Sequence, residues 1–395
     1  MSIRTLCFPT LLSVWFKSIW QAGLTKGLVL VQLAVLSPLS LGDALTESSM
    51  KTEFAERSLL LDISQAGERL IAVGERGHIV FSDDQAKSWV QAQVPVRVTL
   101  TSVFFVNEDL GWAVGHDGVV LRTLDAGETW HKVLSGYEAN ELILQHSQKL
   151  YSRAEQAVDS ASEEALEDAE LNLENRYIQL QDAESFVEEG ASRPFLDVWF
   201  RSETEGFIFG AFGMFLHTED GGDSWVSVHD RVDNAYWFHL NVAKKIGQSL
   251  FIVAEAGGIY RSSDDGKTWQ KLESPYDGGF FGVTGDGQGQ VIAFGLRGNA
   301  FVSQDNGEEW RALDTHSSNS FFASARRDDG STLLLGSGGA VVQINSQGEV
   351  QRTTSGAKKS PVSSAISLHS GNLVTVGFGG VQAFSPQALL NGTKK

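Results

Sequence analysis

The sequence predicts an all-β fold, a seven-bladed β-propeller with an inserted α-helical hairpin. Three observations predict it: a small-residue step of the form Gly-x-x-Gly that recurs seven times, an aspartate-centred turn motif after most of these steps, and one interval long enough to hold an insertion. A fixed period near forty residues in a β-rich chain is typical of propeller blades. The steps begin at Gly74, Gly115, Gly210, Ala254, Gly295, Gly336 and Gly377, with intervals of 41, 95, 44, 41, 41 and 41 residues.

The second repeat shows the strands of a blade most clearly. Its β-rich segments, separated by turn residues, are Thr101–Val106, Gly111–Gly115, Val119–Thr123 and Trp130–Leu134. Four short strands in about forty residues make one blade. The first repeat supplies its own four strands from Leu59 to Gln93, whereas the seventh stops after its third, around Val381–Phe384. Because a closed ring leaves no exposed sheet edge, we expect Thr46–Glu56 to supply the missing strand.

The turn motif reads Ser/Thr-x-Asp-x-Gly-x-Ser/Thr-Trp, the Asp-box or BNR signature. It occurs in five repeats, with Ala86 in place of the glycine in the first and Glu309 before the tryptophan in the fifth. We expect its aspartate to bind backbone amides of its own turn, its glycine to take a positive φ and its tryptophan to pack beneath. Calcium binding or catalysis by these aspartates is the alternative. The motif residues are Asp84, Asp125, Asp220, Asp264 and Asp305, with Trp89, Trp130, Trp225, Trp269 and Trp310.

The insertion lies in the long interval, where helix-forming residues replace the β-pattern from Ala139 to Glu189. Ser160–Ser162 breaks it into two segments, so we predict an antiparallel helical hairpin with a narrow coiled-coil seam. It serves either as a solvated decoration or as a partner-binding arm beside the Gly-x-x-Gly turns. The predicted seam residues are Ile143, Ser147, Leu150, Ala154 and Ala157 on the first helix, and Leu166, Leu173, Leu180 and Val187 on the second.

Charge excludes one class of partner. The net charge of −18 argues against binding to a nucleic-acid backbone, which needs a basic surface. Residues 138–189 contain 14 acidic and 3 basic side chains, so the insertion is the most acidic part of the chain.

The N-terminus predicts export. Basic residues precede the apolar run Gly27–Leu36, and small residues follow it, with cleavage expected after Ala44 or Gly42. An uncleaved anchor or a misassigned start is the alternative. The only cysteine, Cys7, lies in this segment, so the mature chain has no thiol and is compatible with the periplasm. The predicted organisation is a signal peptide over 1–44, blades 1 and 2 over 45–138, the hairpin over 139–190, blades 3 to 7 over 191–385 and a tail over 386–395, with no membrane span in the mature form.

One end of the propeller is the candidate partner-binding face. The turns between second and third strands and the connections between blades share that end, around the mouth of the central channel. Aromatic residues with a few arginines are typical of peptide-binding surfaces; packing between blades is the alternative for the aromatics, Phe281 and Phe322 among them. The predicted partner-binding residues are Arg76, His116, Asp117, Phe212, Tyr236, Trp237, Phe280, Arg297, Phe321 and Phe378.

Enzyme motifs are scarce in the sequence. The nine histidines include no His-x-His or His-x-x-x-His pair, and Gly-x-Ser-x-Gly is absent, so we expect no cofactor, metal or catalytic residue. Asp-boxes recur in sialidases, which makes a glycoside hydrolase the rival, with Tyr236 or Tyr276 as nucleophile. A carbohydrate-binding propeller that uses Trp237 is a third hypothesis.

The repeat resembles the photosystem II assembly and stability factor family. The resemblance is carried by Gly111–Gly118, GWAVGHDG, and Asp125–Trp130, DAGETW, and it covers residues 58 to 385 apart from the insertion. It implies an exported, non-enzymatic seven-bladed propeller that binds a membrane-protein partner or assembly intermediate, a precursor reaction-centre subunit in phototrophs. Relatives elsewhere often accompany resistance-nodulation-division (RND) exporters, which implies such an exporter as another partner.

The resemblance also implies arginines on the partner-binding face. Arg76 and Arg297 occupy the corresponding turns, whereas Asp117, Phe212 and Gly379 depart from the pattern. With the acidic hairpin, this identifies the chain as a divergent bacterial homologue.

Overall fold

The computed structural model describes residues 43–355 and 360–385. The predicted signal peptide with its cleavage site after Gly42, Cys7 and the C-terminal tail 386–395 lie outside the described residues, apart from Asp43 and Ala44 at the end of the predicted signal. Among the helices of the described residues, none combines the length and the apolar content that crossing a membrane requires.

Seven antiparallel sheets follow one another along the chain, in line with the seven predicted repeats. Blade 1 comprises β1 (Leu60–Ala66), β2 (Arg69–Gly74), β3 (Ile79–Ser82) and β4 (Val90–Gln91). Blade 2 comprises β5 (Leu100–Phe105), β6 (Gly111–Gly115), β7 (Val120–Thr123) and β8 (His131–Leu134). The hairpin helices α1 (Gly136–Asp159) and α2 (Leu166–Glu189) come next. Blade 3 comprises β9 (Phe195–Phe200), β10 (Gly206–Gly210), β11 (Phe215–Thr218) and β12 (Val226–Ser227).

The remaining blades repeat the same up-and-down order. Blade 4 comprises β13 (Leu240–Ile246), β14 (Ser249–Ala254), β15 (Ile259–Ser262) and β16 (Gln270–Lys271). Blade 5 comprises β17 (Phe280–Gly285), β18 (Val291–Gly295), β19 (Ala300–Ser303) and β20 (Arg311–Ala312). Blade 6 comprises β21 (Phe321–Arg326), β22 (Thr332–Gly336), β23 (Ala340–Ile344) and β24 (Val350–Ser355). Blade 7 comprises β25 (Val362–Ser367), β26 (Leu373–Gly377) and β27 (Gln382–Phe384).

The first strands of the blades form the wall of the central channel, and the ring closes where β25 of blade 7 packs against β1 of blade 1. Leu60 and Ile63 of blade 1 share a buried apolar cluster with Val374 and Val376 of blade 7. Similar clusters fill the other spaces between blades, so the core is a ring of seven interfaces and each blade depends on both neighbours.

The predicted closing strand is wrong. Thr46–Glu56 contains no strand, and within the described residues blade 7 has three. The segment instead runs beside the outer strand of blade 1, where the Ser49 amide donates to the Val94 carbonyl at 3.0 Å. It reaches blade 7 only at its end, where the Val381 amide donates to the Glu56 carbonyl at 2.9 Å. Since blade 1 already has four strands, side-chain packing between blades 7 and 1 closes the ring.

The hairpin is antiparallel, as predicted. The Asn140 side-chain amide near the start of α1 donates to the carbonyl of Phe186 near the end of α2, at 2.7 Å. Helix α1 begins at Gly136, three residues before the predicted start, because the Glu138 carboxylate accepts a hydrogen bond from the Ser135 amide at 2.8 Å and caps the first turn. At 24 residues each, the helices are about 36 Å long.

Burial in the hairpin follows the predicted stripe on α1 but only partly the one on α2. Ile143, Ser147, Leu150 and Ala154 of α1 are buried, whereas Ala157 is exposed. On α2 the buried residues are Gln179, Ala183 and Phe186. The predicted seam residues Leu173, Leu180 and Val187 are half-buried, and Leu166 is exposed. A second buried face on α2 arises because this helix also packs on the propeller.

Candidate partner-binding face

One end of the propeller carries the seven turns that join second to third strands; we call it the turn face. In each turn the residue two positions after the Gly-x-x-Gly lead has a positive φ, and the following glycine does too, so the chain reverses within two left-handed residues. The tip residues are Arg76, Asp117, Phe212, Ala256, Arg297, Gly338 and Gly379. Side chains at these tips therefore point away from the sheets.

Five of the predicted partner-binding residues are exposed at these turns. Arg76, His116 and Arg297 are exposed polar side chains, and Phe212 and Phe378 are exposed apolar ones, 44% and 68% accessible respectively. Asp117 is half-buried, because α1 starts beside it. Burial raises the pKa of the Asp117 carboxyl. The turn face thus presents large apolar side chains on two of its turns and cationic ones on two others.

A turn between blades 3 and 4 adds the most exposed aromatic residue. Tyr236 is 84% accessible, and its ring centroid lies 5.8 Å from that of Phe238. The Asn234 side chain shapes the turn: its amide nitrogen donates to the Phe238 carbonyl at 2.9 Å, and its carbonyl oxygen accepts from the Phe238 amide at 3.0 Å. Tyr236 and Phe238 are therefore held as a pair on the turn face.

Trp237 is not available to a partner. It is 7% accessible, and its ring lies 5.2 Å from Phe186 of α2 and 5.3 Å from His229. Trp237 has a φ of 53°, and its ring is buried whereas that of the preceding Tyr236 is exposed. Trp237 is therefore too buried to form the sugar-binding surface of the third hypothesis.

Phe280 and Phe321 are also wrong as partner-binding residues, since both are fully buried between blades. Each precedes a β-bulge, an extra residue at the start of the first strand. The bulge turns the next residue into the channel, where the Phe281 and Phe322 rings stack with centroids 5.4 Å apart.

The same bulge occurs in all seven blades, and its residues form one ring around the channel. They line a cavity of about 660 Å³. The seven bulge residues are Leu61, Thr101, Leu196, Asn241, Phe281, Phe322 and Ser363. The sequence signal for them is a distance of 13 or 14 residues before the Gly-x-x-Gly lead of the same blade, but alternation alone assigns the wrong neighbour to the channel.

Two carboxylates link neighbouring blades beneath this ring. Asp62 of blade 1 accepts a hydrogen bond from the Val103 amide of blade 2 at 2.9 Å, and Asp197 of blade 3 accepts one from the Ala243 amide of blade 4 at 2.8 Å. The Ser102 hydroxyl lies between them, 3.1 Å from Asp62 and 2.7 Å from Asp197. Burial raises the pKa of both carboxyls, that of Asp197 to about 6. These hydrogen bonds join blades 1 to 4.

The hairpin rises from the turn face between blades 2 and 3 and packs on it. The Gly118 turn touches the start of α1 so closely that a Cβ on Gly118 would lie 2.4 Å from the Gly136 Cα. Further along α1, the His146 Nε2 lies 2.6 Å from an Asp230 oxygen. Beside this pair, burial lowers the pKa of His229 to about 3, so it packs as a neutral ring. Sequence patterns gave no signal for these contacts because they join residues far apart in the chain.

The Asp-box aspartates bind their own turns. In blade 2 the Asp125 carboxylate accepts from the Thr129 amide at 2.9 Å, and the Gly127 amide donates to the Thr123 hydroxyl at 3.0 Å. Trp130 packs beneath and donates to the Gly127 carbonyl at 3.0 Å. The motif's glycine position has a positive φ in all five boxes, Ala86 included. The boxes lie at the opposite end of the sheets from the turn face.

The residues proposed for a glycosidase do not form its site. Tyr276 packs on Phe280 and its hydroxyl accepts a hydrogen bond from the Asn299 amide at 3.2 Å, while Tyr236 points into solvent. In the described residues neither hydroxyl bonds a carboxylate. Over the same ranges, no group of three histidine, aspartate or glutamate side chains is arranged to hold a metal ion.

Part of the chain matches a known protein family, and most of it resembles solved structures. Residues 180–367 match the family model described as photosynthesis system II assembly factor YCF48. A search of curated proteins finds no match.

Solved propeller structures resemble most of the chain. YCF48 bound to a D1 peptide is 15% identical with a TM-score of 0.56, covering 87% of this chain and 97% of that one. YCF48 from Cyanidioschyzon merolae is 13% identical with a TM-score of 0.57, covering 86% and 99%. The WD40 β-propeller domain of Doa1 is 12% identical with a TM-score of 0.56, covering 87% and 97%. Because identities this low show the fold alone, the similarity to the family rests on the match to residues 180–367. Residues 180–367 are therefore similar to the photosystem II assembly factor family, and the chain has the fold of a β-propeller.

Proposed function

We propose that this chain is an exported, non-enzymatic propeller that binds a membrane protein or its assembly intermediate through the turn face. The observation that carries the proposal is that the aromatic Phe212, Tyr236 and Phe378 and the cationic Arg76 and Arg297 are all exposed at this one end of the propeller. Aromatic and arginine side chains supply most of the binding energy in protein interfaces. Binding of this kind requires no catalytic residue.

The comparisons support a peptide-like partner. The YCF48 structure that resembles this chain was solved with a D1 peptide. A flexible segment of a membrane protein, lying across the channel mouth, could use the apolar tips as anchors and the two arginines for carboxylate groups. Export, predicted from the N-terminal segment, would bring the turn face to the same side of the membrane as such a segment.

Affinity capture from detergent-solubilised membranes tests the proposal. The variant is the triple substitution Tyr236→Ala, Arg297→Ala and Phe378→Ala, which removes exposed side chains only. We expect the unmodified protein to retain a membrane protein and the variant to lose it. The matched control is Leu124→Ala, since Leu124 is 64% accessible at the opposite end of the sheets. Equal recovery with the triple variant would contradict a role for the turn face.

A further inference from the structure

Helix α2 has an outward face that carries exposed side chains, two of them large and apolar. Its buried residues, Gln179, Ala183 and Phe186, lie on another side, against α1 and the propeller. On the outward side, Leu171 and Ile178 are 58% and 50% accessible. They are seven residues apart and so lie on one stripe of the helix. Two large apolar side chains at heptad spacing are the pattern by which a partner helix packs.

Acidic side chains surround this apolar pair. Glu167 and Glu174 lie four residues before and three after Leu171, and are therefore its neighbours on the helix surface. Both are exposed, as is Glu170, and none of the three forms an ion pair in residues 43–355 or 360–385. The basic residue of α2, Arg176, is half-buried and donates to Gln179 at 2.8 Å. Its charge is thus directed toward the propeller side.

The helix presents this face rigidly. Phe186 near its end is 5% accessible, and the Arg193 guanidinium lies 3.7 Å from the Phe186 ring centroid. In its middle, the Gln179 side-chain amide donates to the Ala235 carbonyl of the propeller at 3.4 Å. A face held at two points loses little conformational freedom when a partner binds, which favours affinity.

We propose that the outward face of α2, defined by Glu167, Leu171, Glu174 and Ile178, docks a basic amphipathic helix of the membrane-protein partner. The helix would set apolar side chains against Leu171 and Ile178 and lysine or arginine against the glutamates. Charge decides against a second copy of this chain, because two such faces would bring glutamate against glutamate. The inference rests on the proposed function and names a second contact for the same partner.

A peptide-binding experiment tests the face directly, with the full mature protein. The probes are a fluorescent amphipathic helical peptide with a leucine stripe flanked by lysines, and its twin with glutamate in place of lysine. We expect the lysine peptide to bind and the glutamate peptide not to. Leu171→Ser with Ile178→Ser should weaken binding roughly tenfold, because about 1.4 kcal/mol of apolar contact is lost.

Charge variants separate this face from general attraction to an acidic protein. Glu167→Gln with Glu174→Gln should weaken binding, whereas Glu141→Gln with Asp159→Asn, the same charge change on α1, should not. Equal loss with both pairs, or no loss with the serine pair, would overturn the inference. The inference would also be overturned if the protein formed a concentration-dependent dimer that the two serine substitutions abolished. The face would then bind a second copy of this chain.

Membrane capture then distinguishes the two proposals. A benzophenone crosslinker at Ile178 (Ile178→p-benzoylphenylalanine) should label a segment of the captured protein that is basic and has helical apolar periodicity. If the α2 variants capture the membrane protein normally and the crosslinked segment is acidic or extended, this inference fails while the turn-face proposal stands. If the turn-face triple variant captures normally, the proposed function fails.

Discussion

The guanidinium carbon of Arg193 lies 3.7 Å from the centroid of the Phe186 ring, and the same group lies 5.4 Å from the ring of Phe212. Arg193 belongs to the segment that leads into blade 3, Phe186 to the end of α2 and Phe212 to a tip of the turn face. One buried cation therefore joins the hairpin to the surface proposed to bind a partner. The Glu189 carboxylate pairs with Arg193 at 2.5 Å and offsets its charge.

Phe186→Ala should detach the hairpin from the propeller. The side chain packs on Trp237 and Arg193, so its loss should cost about 3 kcal/mol of local stability. We expect amide hydrogen exchange to accelerate in α1 and α2 and in the turn Asn234–Phe238, with little change in blades 5 to 7. Leu171→Ala, an exposed position on the same helix, is the control. Unchanged exchange in the hairpin would show that Phe186 does not anchor it.

Most of the fold could be predicted from the sequence because the blade repeats. In blade 2 the predicted strand Gly111–Gly115 matches β6 residue for residue, and Val119–Thr123 exceeds β7 by one. The position of Thr46–Glu56 could not be predicted, because a polar segment near a sheet edge carries no signal for which blade it will contact.

The candidate site was less predictable than the fold. A bulge shifts register by one residue, so the rule of alternation assigned Phe280 and Phe321 to a surface and left Phe281 and Phe322 as packing candidates. Trp237 was misplaced because its burial depends on Phe186, 51 positions away in the chain. Exposure of Arg76 and Arg297 could be predicted, since every blade repeats the same turn.

Asp197→Asn should change how stability depends on pH. The folded pKa of about 6 lies above the unfolded value of 3.8, so protonation favours the folded state. The free energy of unfolding of the native protein should therefore rise by about 1 kcal/mol relative to that of the variant as pH falls from 7 to 5. The same amount should be lost as pH rises through 6. Denaturant unfolding of both proteins at each pH measures the difference. A pH-independent difference would mean that Asp197 has an ordinary pKa.

Asp220→Ala tests the Asp-box of blade 3 as a turn staple. The Asp220 carboxylate accepts hydrogen bonds from the Ser224 hydroxyl at 2.6 Å and from the Ser224 backbone amide at 2.8 Å. These two hydrogen bonds lower the pKa of Asp220 to about 2. Removing these bonds should cost about 1 kcal/mol at pH 7. The cost should shrink as pH falls from 3.8 through 2, because protonation of the native carboxylate then removes the same contribution.

Glu219→Ala is the matched control for the Asp-box, since it removes one exposed carboxylate from the adjacent position. Urea unfolding at pH 7 and pH 3 should show a loss of stability for Asp220→Ala and almost none for Glu219→Ala. If both variants lose the same free energy, net charge accounts for the effect and the hydrogen bonds do not. If only Asp220→Ala is destabilised, the box acts by holding the turn that seats Trp225, which is 5% accessible beneath it.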